Sequence, residues 1–163
     1  MLSLTYEALS AEAERMVISD GSLRAANFTI RAHGETWWDD QYRRRREMSS
    51  ESRLIFIVQG GMNYEIFGKK YEVGKNCMFL IPERHTYSIG IPEDGYAHVH
   101  YCNFNATLES ESLFDYLEGE WVVEIKNRDE VVERFKRFHR VDKNNLILDC
   151  LEKRSNLLLL LTE

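Results

Sequence analysis

The chain has 163 residues, about the length of one domain, and its 44% hydrophobic and 12% aromatic content is typical of a globular protein. A formal net charge of −6 argues against nucleic-acid binding through a general basic field. No stretch approaches the roughly 20 apolar residues of a membrane helix, and the N-terminus has no secretory signal pattern. These observations predict a cytoplasmic protein without a membrane partner.

The three cysteines, Cys77, Cys102 and Cys150, are widely spaced and lie in apolar stretches. An odd number at such spacing does not form a disulfide framework or a metal finger. We therefore expect buried, reduced thiols.

The chain begins with residues 1–22, for which we expect an arm or a short helix. Leu23–Arg31 mixes apolar and polar residues as an early strand does, and Gly34 predicts the turn after it. Two indoles follow, those of Trp37 and Trp38. Their faces either stack on a sugar ring or pack within the core or an interface, and the sequence leaves both interpretations open.

A run of four arginines, Arg43–Arg46, falls in the next predicted strand. Alternation sends Arg43 and Arg45 to one face and Arg44 and Arg46 to the other. One interpretation is a solvated edge strand whose charges prevent edge-to-edge pairing. The other is that one guanidinium points inward and offers its planar fork to a carboxylate, a phosphate or sugar hydroxyls.

The stretch Arg53–His85 reads as four closely spaced strands, which predicts an antiparallel meander wrapped around a core or a small ligand. Glycines supply the predicted turns, at Gly60-Gly61, at Gly68-Lys69 and at Gly74. The predicted strands are Leu54–Val58, Met62–Phe67, Tyr71–Val73 and Cys77–Ile81, followed by Thr86–Ile91 and Tyr96–Phe104.

Several of these pieces occur in an order typical of a known family. They are Gly60, the hairpin Phe67–Tyr71, Gly74, the strand and proline of Met78–Pro82, and His85. Together they resemble the second half of a small cupin barrel and, more narrowly, the N-terminal sensor domain of AraC-type transcription regulators. The resemblance implies a mostly β protein, with a cupin-like antiparallel β-barrel or jelly roll over residues 23–108 and a helical dimerisation segment over residues 109–163.

The sensor-domain resemblance implies a pocket inside the barrel that binds a small effector, such as a sugar or a small carboxylate. Carried over by position, together with the nearby aromatic and imidazole side chains, the ligand-binding residues are Trp38, Arg45, His85, Tyr87, His100 and Tyr101. His85 and Tyr87 share a strand face, as a common pocket requires. The alternative for Tyr87 and Tyr101 is packing within the barrel, with the hydroxyl groups at its rim.

The histidines of the last predicted strand leave two further alternatives open. A register slip of one residue would turn His98 and His100 inward in place of Val99 and Tyr101. His98 and His100 also lie two residues apart on one strand face, a spacing at which imidazoles can chelate a metal, although surface or core histidines are commoner.

We do not expect metal-dependent catalysis. Metal-using cupin enzymes, which the stretch Gly74–His85 resembles, also carry an H-x-H motif and a downstream carboxylate on the earlier strands. Here that region reads YRRRREMSSESRLIF and contains no histidine, so His85 lacks its usual partners. We expect a protein that is not an enzyme and that binds no metal or other cofactor.

After Phe104 the spacing of the apolar residues becomes that of helices. This spacing predicts helices over Ser110–Leu117, Arg128–His139 and Asn145–Thr162, with a short strand or an extended connector at Trp121–Ile125. The leucines of Leu157–Leu161 surround more than one helical stripe. They either dock on the barrel or form a helix–helix dimer seam.

The resemblance as a whole implies the effector-binding and dimerisation domain of a bacterial transcription regulator. Its partners would be a small-molecule effector, a second copy bound through the C-terminal helices, and DNA. DNA would be contacted only through a C-terminal helix-turn-helix domain absent from this chain, which we expect to be a truncated part of a longer regulator. The alternative is a stand-alone cupin enzyme or a carbohydrate-binding protein.

Overall fold

A computed structural model of the protein describes residues 26–108, 110–116, 120–140 and 146–161. The described residues form nine strands, a short 3₁₀ helix and two α-helices. The strands are β1 (Asn27–Asp39), β2 (Arg43–Met48), β3 (Ser52–Ile66), β4 (Lys69–Gly74), β5 (Cys77–Ile81), β6 (Thr86–Gly90), β7 (Tyr96–Leu108), β8 (Glu111–Ser112) and β9 (Val122–Glu124). The helices are the 3₁₀ helix Leu113–Tyr116, α1 (Arg128–His139) and α2 (Leu146–Leu161). The predicted arm of residues 1–22 lies outside the described residues.

The strands form two antiparallel sheets that share β3. The large sheet has the order β1-β7-β3-β5-β9, with β8 paired to β7, and the small sheet has the order β2-β6-β3-β4. Side chains of the two sheets meet between them, since the rings of Tyr64 in the small sheet and Phe79 in the large sheet lie 4.7 Å apart. The predicted fold class, a mostly β cupin-like barrel followed by helices, is confirmed.

The 15-residue strand β3 passes from one sheet into the other. Gly60 pairs with Ala97 in the large sheet, and Gly61 pairs with Gly74 in the small sheet, so the predicted turn at these glycines is wrong. Gly60 has a φ of +77°, and a Cβ there would lie 2.0 Å from the carbonyl oxygen of Tyr96. Glycine therefore lets the strand bend where two backbones approach closely.

β1 extends beyond the predicted strand and contains Gly34 in its interior. Gly34 pairs with Tyr101 of β7, and a Cβ there would lie 2.7 Å from the hydroxyl oxygen of Tyr101. The predicted turn at Gly34 is wrong, because the glycine makes room for a cross-strand ring instead of reversing the chain.

α1 coincides with the predicted helix Arg128–His139. Its apolar stripe of Val131, Phe135 and Phe138 is fully buried. The ring of Phe135 lies 6.3 Å from that of Phe56 on β3, so the stripe packs on the outer face of the large sheet. Burial of such a face stabilises a helix of this length in a way that helix propensity alone does not.

Between β7 and β9 the structure departs from the predicted helix Ser110–Leu117. In the described part of this segment, residues 110–116, Glu111–Ser112 pair with the end of β7 and only Leu113–Tyr116 form a 3₁₀ turn. So short a segment does not nucleate an α-helix easily, and pairing with β7 satisfies its backbone. The predicted helix is wrong, whereas the strand predicted at Trp121–Ile125 is confirmed as β9.

α2 forms most of the predicted last helix. Leu157 and Leu160 are fully buried, so docking on the rest of the chain accounts for them. Leu151 is 58% exposed and Leu158 is 36% exposed, which leaves an apolar strip on the opposite side of the helix.

All three cysteines are free, but they differ in burial. Cys102 is buried, and burial raises the pKa of its thiol to about 12. Cys150 is exposed on α2, so the prediction of buried thiols is wrong for that residue. In the described ranges, neither helix is long and apolar enough to cross a membrane.

The bend in β3 can be tested with two alanine substitutions. We expect Gly60→Ala to lower the free energy of unfolding by about 2 kcal/mol or more, because the new methyl group meets the Tyr96 carbonyl. Gly68→Ala is the matched control, since Gly68 has a φ of +73° but nothing lies within 4 Å of its missing Cβ. Only backbone strain of about 1 kcal/mol applies there. Equal losses in urea unfolding would contradict the role of close approach at Gly60.

Candidate functional site

Apolar side chains fill the middle of the barrel. The following are each at most 1% exposed: Ile57, Ile66, Phe79 and Val99. The hydroxyl of Tyr64, also buried there, donates a hydrogen bond of 2.7 Å to the carbonyl oxygen of Leu80. Polar recognition is therefore left to the ends of the barrel.

Polar side chains gather at the end of the barrel where β3 begins and β5 ends. Arg53 of β3 pairs with Ile81 of β5 and with Asn103 of β7, so the three side chains lie side by side on the inner face. Further polar residues surround this row. We call the following residues the polar cluster: Arg31, Glu51, Arg53, Glu83, Tyr87, Asn103 and Asn105.

Arg53 joins the two sheets within the polar cluster. Its Nη1 donates a hydrogen bond of 3.1 Å to the Tyr87 hydroxyl, and the guanidinium carbon lies 5.9 Å from the centre of the Tyr87 ring. Burial raises the pKa of Tyr87, while the Arg53 charge acts in the opposite direction. The hydroxyl therefore stays protonated at neutral pH and can donate a hydrogen bond of its own. The Nε of Arg53 is buried and has no hydrogen-bond partner among the described residues.

Two amides hold the acidic members of the polar cluster. Asn103 donates to Glu51 at 2.7 Å, and Asn105 donates to Oε2 of Glu83 at 2.5 Å. Asn105 in turn accepts a hydrogen bond from Nε of Arg31 at 2.8 Å. Glu83 is 6% exposed, and its Oε1 has no partner in the part of the chain that the structure describes. The polar cluster thus contains one donor without a partner among the described residues, Nε of Arg53, and one such acceptor, Oε1 of Glu83.

Three of the six predicted ligand-binding residues lie in or beside the polar cluster. Tyr87 belongs to it. Tyr101 is two residues before Asn103 on β7 and faces the same interior. His85 lies in the loop before β6 at the same end of the barrel, where its Nδ1 is 2.9 Å from the carbonyl oxygen of Glu83. These three residues thus lie in or near the polar cluster, and their contact with a ligand stays a prediction.

The other three predicted residues lie elsewhere. Trp38 stacks on Tyr42 at 4.1 Å, towards the other end of the barrel. Arg45 is exposed and lines an open groove of about 740 Å³ on the small sheet. His100 lies on the outer face of the large sheet, 2% exposed and stacked on Phe135 at 5.5 Å. Tyr101 rather than His100 therefore faces inward, and the one-residue register slip does not occur.

The arginine run is exposed along its whole length. β2 pairs with β6 and with no other described strand, so it is an edge strand, as the first interpretation has it. Regular alternation fails there, because the register shifts between Arg44 and Glu47 and Arg46 has a φ of +49°. The guanidinium that does enter the barrel is that of Arg53.

The groove beside Arg45 is a weaker candidate than the polar cluster. Its charged residues are of both signs and, except for the half-buried Glu65, exposed, so solvent screens them and they partly cancel. They are Arg43, Arg44, Arg45, Glu65, Lys70, Glu72 and Glu93.

In the described ranges, no group of three or more His, Cys, Asp or Glu side chains is placed to hold a metal ion. His98 and His100 share a strand face, as alternation predicts, but Nε2 of His98 already lies 2.6 Å from the carboxylate of Glu35. His85 lies away from both, at the end of the barrel.

Sequence reasoning missed three central residues of the polar cluster, Arg53, Asn103 and Glu83. A signal was available for Arg53, which opens the otherwise apolar run RLIFIV in the same phase as Ile55 and Ile57. A charge on the buried face of a strand requires a partner, and that requirement marks a site.

No protein-family model matches the sequence, and no curated protein sequence is similar to it. Solved structures that resemble the chain include an ethanolamine utilization protein Q of Salmonella typhimurium, with 12% identity over 52% of this chain and 74% of that one, at a TM-score of 0.36. They also include a cupin_2 domain of an XRE family transcriptional regulator of Enterobacter cloacae. It is 7% identical over a match that covers 48% of this chain and 95% of that domain, with a TM-score of 0.33. ToxT of Vibrio cholerae, an AraC-family regulator, is 10% identical over a match that covers 80% of this chain and 52% of the ToxT chain, with a TM-score of 0.44.

The similar structures thus include both kinds of protein that the sequence resembles, a cupin domain and an AraC-family regulator. The chain spans 52% of the ToxT chain. These likenesses concern the fold, and no residue's role is transferred from them.

The bond between the two sheets in the polar cluster can be tested by removing one hydroxyl. We expect Tyr87→Phe to lower the free energy of unfolding by about 1.5–3 kcal/mol, because the Arg53 guanidinium loses a partner in a half-buried position. Tyr96→Phe is the matched control, since its hydroxyl accepts a surface hydrogen bond of 2.7 Å from Gln59. It should change stability by less than about 0.5 kcal/mol. Similar losses for both variants in urea unfolding would contradict the special role of Tyr87.

Proposed function

We propose that this chain is the effector-binding and dimerisation domain of an AraC-type transcription regulator, and that it binds a small molecule at the polar cluster. The observation that carries the proposal is Arg53, whose guanidinium enters the barrel from β3 with a buried, unpartnered Nε. The proposal includes no catalytic step. Its effect on DNA would be exerted through a separate helix-turn-helix domain of the regulator.

The hydrogen-bonding groups indicate the chemical class of the effector. Buried polar groups are nearly always paired, so the unused donor of Arg53 and the unused acceptor of Glu83 are places for ligand atoms. A sugar hydroxyl both donates and accepts, and it can satisfy either group. A carboxylate accepts only, so it would suit the planar fork of Arg53 but would be repelled by Glu83. A small sugar is therefore favoured over a small carboxylate.

Tyr87 and Tyr101 support a sugar-sized ligand in a second way. Both rings face the interior near the polar cluster, and aromatic rings give a sugar an apolar surface beside polar partners. Apolar side chains such as Ile57 and Val99 fill the barrel beyond them. The ligand would therefore lie at the end of the barrel rather than in its middle.

We propose a second copy of this chain as the partner of α2. Leu151 and Leu158 lie seven residues apart, on one side of the helix, and are 58% and 36% exposed. Leu157 and Leu160 are buried on the other side, so docking within the described part of the chain leaves this strip uncovered. Two such strips packed together form the seam of an antiparallel or parallel helix pair.

The ligand proposal predicts that titrating a panel of neutral monosaccharides and small carboxylates identifies at least one sugar that binds. We expect Arg53→Gln to weaken its binding about 10- to 100-fold, as loss of a charged hydrogen bond does. Isothermal titration calorimetry measures the change directly and tolerates a modest loss of stability. Arg45→Gln is the matched control, because this arginine lies in the open groove, and its affinity should be unchanged.

Two results would contradict the ligand proposal. One is a sugar that binds wild type and Arg53→Gln equally while Arg45→Gln loses affinity, which would place the site in the groove. The other is a carboxylate that binds while every sugar fails, which would keep the site but reject the favoured ligand class.

The dimer proposal predicts that Leu151→Glu shifts the chain from dimer to monomer in sedimentation velocity, because a buried unpaired charge at the seam costs several kcal/mol. Glu152→Gln is the control, since it changes a neighbouring exposed side chain without adding charge to the strip. A wild type that is monomeric throughout the micromolar range, or a Leu151→Glu variant that remains dimeric, would overturn the dimer.

A further inference from the structure

Four of the five histidines meet where α1 packs on the large sheet. His33 lies on β1, His98 and His100 lie on β7, and His139 is the last residue of α1. We call these four residues the histidine cluster. It lies on the outer face of the large sheet, opposite to the polar cluster, and neither the fold nor the proposed effector site uses it.

The members of the histidine cluster are in mutual contact. Nδ1 of His33 lies 3.3 Å from Nδ1 of His139, and the ring of His100 lies 5.7 Å from that of His139. His98 and His100 have ring centres 6.1 Å apart. Phe135 stacks on His100, so the aromatic stripe of α1 and the imidazoles form one continuous interface.

Two imidazole nitrogens of the histidine cluster are buried without a partner in the described residues. They are Nδ1 of His100 and Nε2 of His139. A neutral imidazole tolerates this, because one of its nitrogens carries no proton, whereas an imidazolium must place two N–H donors. A proton added to Nδ1 of His100 or to Nε2 of His139 would therefore leave a buried N–H donor without an acceptor among the described residues.

The neighbouring charges do not compensate for a second proton. Among the described residues, Glu35 of β1 is the acid that lies beside His100, with its Oε2 4.0 Å from Nδ1 of that ring. Its Oε1 already lies 2.6 Å from Nε2 of His98, and the side chain is nearly half exposed. On α1, the positive Lys136 disfavours a charge on His100. On α2, Lys153 disfavours a charge on His33, and Asp149, which pairs with Lys153 at 2.9 Å, offsets this only partly.

Burial lowers the pKa of three members of the histidine cluster. It lowers the pKa of His100 to about 4, with Glu35 acting in the opposite direction. It lowers the pKa of His33 and that of His139 as well. In the docked state these imidazoles are therefore neutral at pH values where exposed histidines are already charged.

We propose that the histidine cluster is an acid-operated latch, which holds α1 on the large sheet at neutral pH and releases it when His100, His139 and His33 take up protons. Release separates like charges that are otherwise 5–6 Å apart and exposes each imidazole to water. The latch lies on the opposite face of the large sheet from the proposed effector site, and it acts on the helix that precedes α2 in the chain.

The direction of the pH effect follows from linkage. At pH values between the lowered pKa and the ordinary histidine pKa of about 6.5, the undocked state binds more protons than the docked state. A fall in pH through this range therefore favours undocking. For His100 alone, a change from about pH 7.5 to about pH 5.5 raises the ratio of undocked to docked α1 roughly tenfold. His33 and His139 add to this ratio in the same direction.

Hydrogen–deuterium exchange of the full chain at these two pH values, corrected for the intrinsic exchange rate, tests the latch. We expect the amides of α1 to lose about tenfold or more in protection at the lower pH, while those of β3 and β5 keep theirs. His100→Phe should retain the stacking on Phe135. The loss of protection of α1 between the two pH values should be about tenfold smaller in this variant than in the wild type. His139→Gln, a milder change at the end of the helix, provides a second variant if His100→Phe does not fold.

His85→Gln is the control, because His85 is the one histidine outside the histidine cluster, and its variant should respond to pH as the wild type does. Three outcomes would overturn the latch. They are equal protection of α1 at both pH values, a loss of protection spread equally over the strands, and a wild-type pH response that persists in both His100→Phe and His139→Gln.

Discussion

Both faces of β3 are buried at once, and this double burial is the constraint on which the other elements depend. Ile55 and Ile57 point into the barrel, while Leu54 and Phe56 point outward, and all four are at most 3% exposed. Because successive side chains of a strand point to opposite faces, one strand supplies both the barrel interior and the surface on which α1 docks. The bend at Gly60 then carries the same strand into the second sheet.

Because β3 is buried on both faces, a polar side chain along it needs a partner. Arg53 is aligned with the inner face, where a guanidinium costs free energy unless its N–H groups are paired. Tyr87 pairs with one nitrogen, and Nε has no partner among the described residues. A packed apolar side chain would stabilise the barrel as well as Arg53 does, so the unpaired nitrogen of Arg53 supports the effector site proposed above.

Hydrophobic periodicity was enough to predict the helix Arg128–His139 and most of the strands, because burial of one face leaves a period of 2 or 3.6 in the sequence. The fold class came from the family resemblance. It did not predict the interior glycines correctly. Gly34 and Gly60 read as turns, yet each serves a close approach to a residue of β7 more than 30 positions away, and local sequence does not record such contacts.

The candidate site was predictable only in part for the same reason. Tyr87 and Arg45 were both carried over by position from the resemblance. The strand phase of Tyr87 agrees with that choice, whereas an inward Arg45 needs a regular alternation that the bulge in β2 breaks. Arg53 needed the pairing of β3 with β5 and β7 before its neighbours Ile81 and Asn103 were visible. Cross-strand neighbours follow from topology, and topology is the part of the fold that a single sequence specifies least directly.

The two faces of β7 bring the polar cluster and the histidine cluster within three residues of each other along the chain, at Asn103 and His100. Tyr101 and Asn103 face the barrel, whereas His100, which precedes them, and Cys102, which lies between them, face α1. A strand packed on both sides cannot shift on one face without shifting on the other, because protein interiors are close-packed. If the proposed effector favours one position of this strand, it would also bias the docking of α1, and by reciprocity the docking of α1 would change the affinity for that effector.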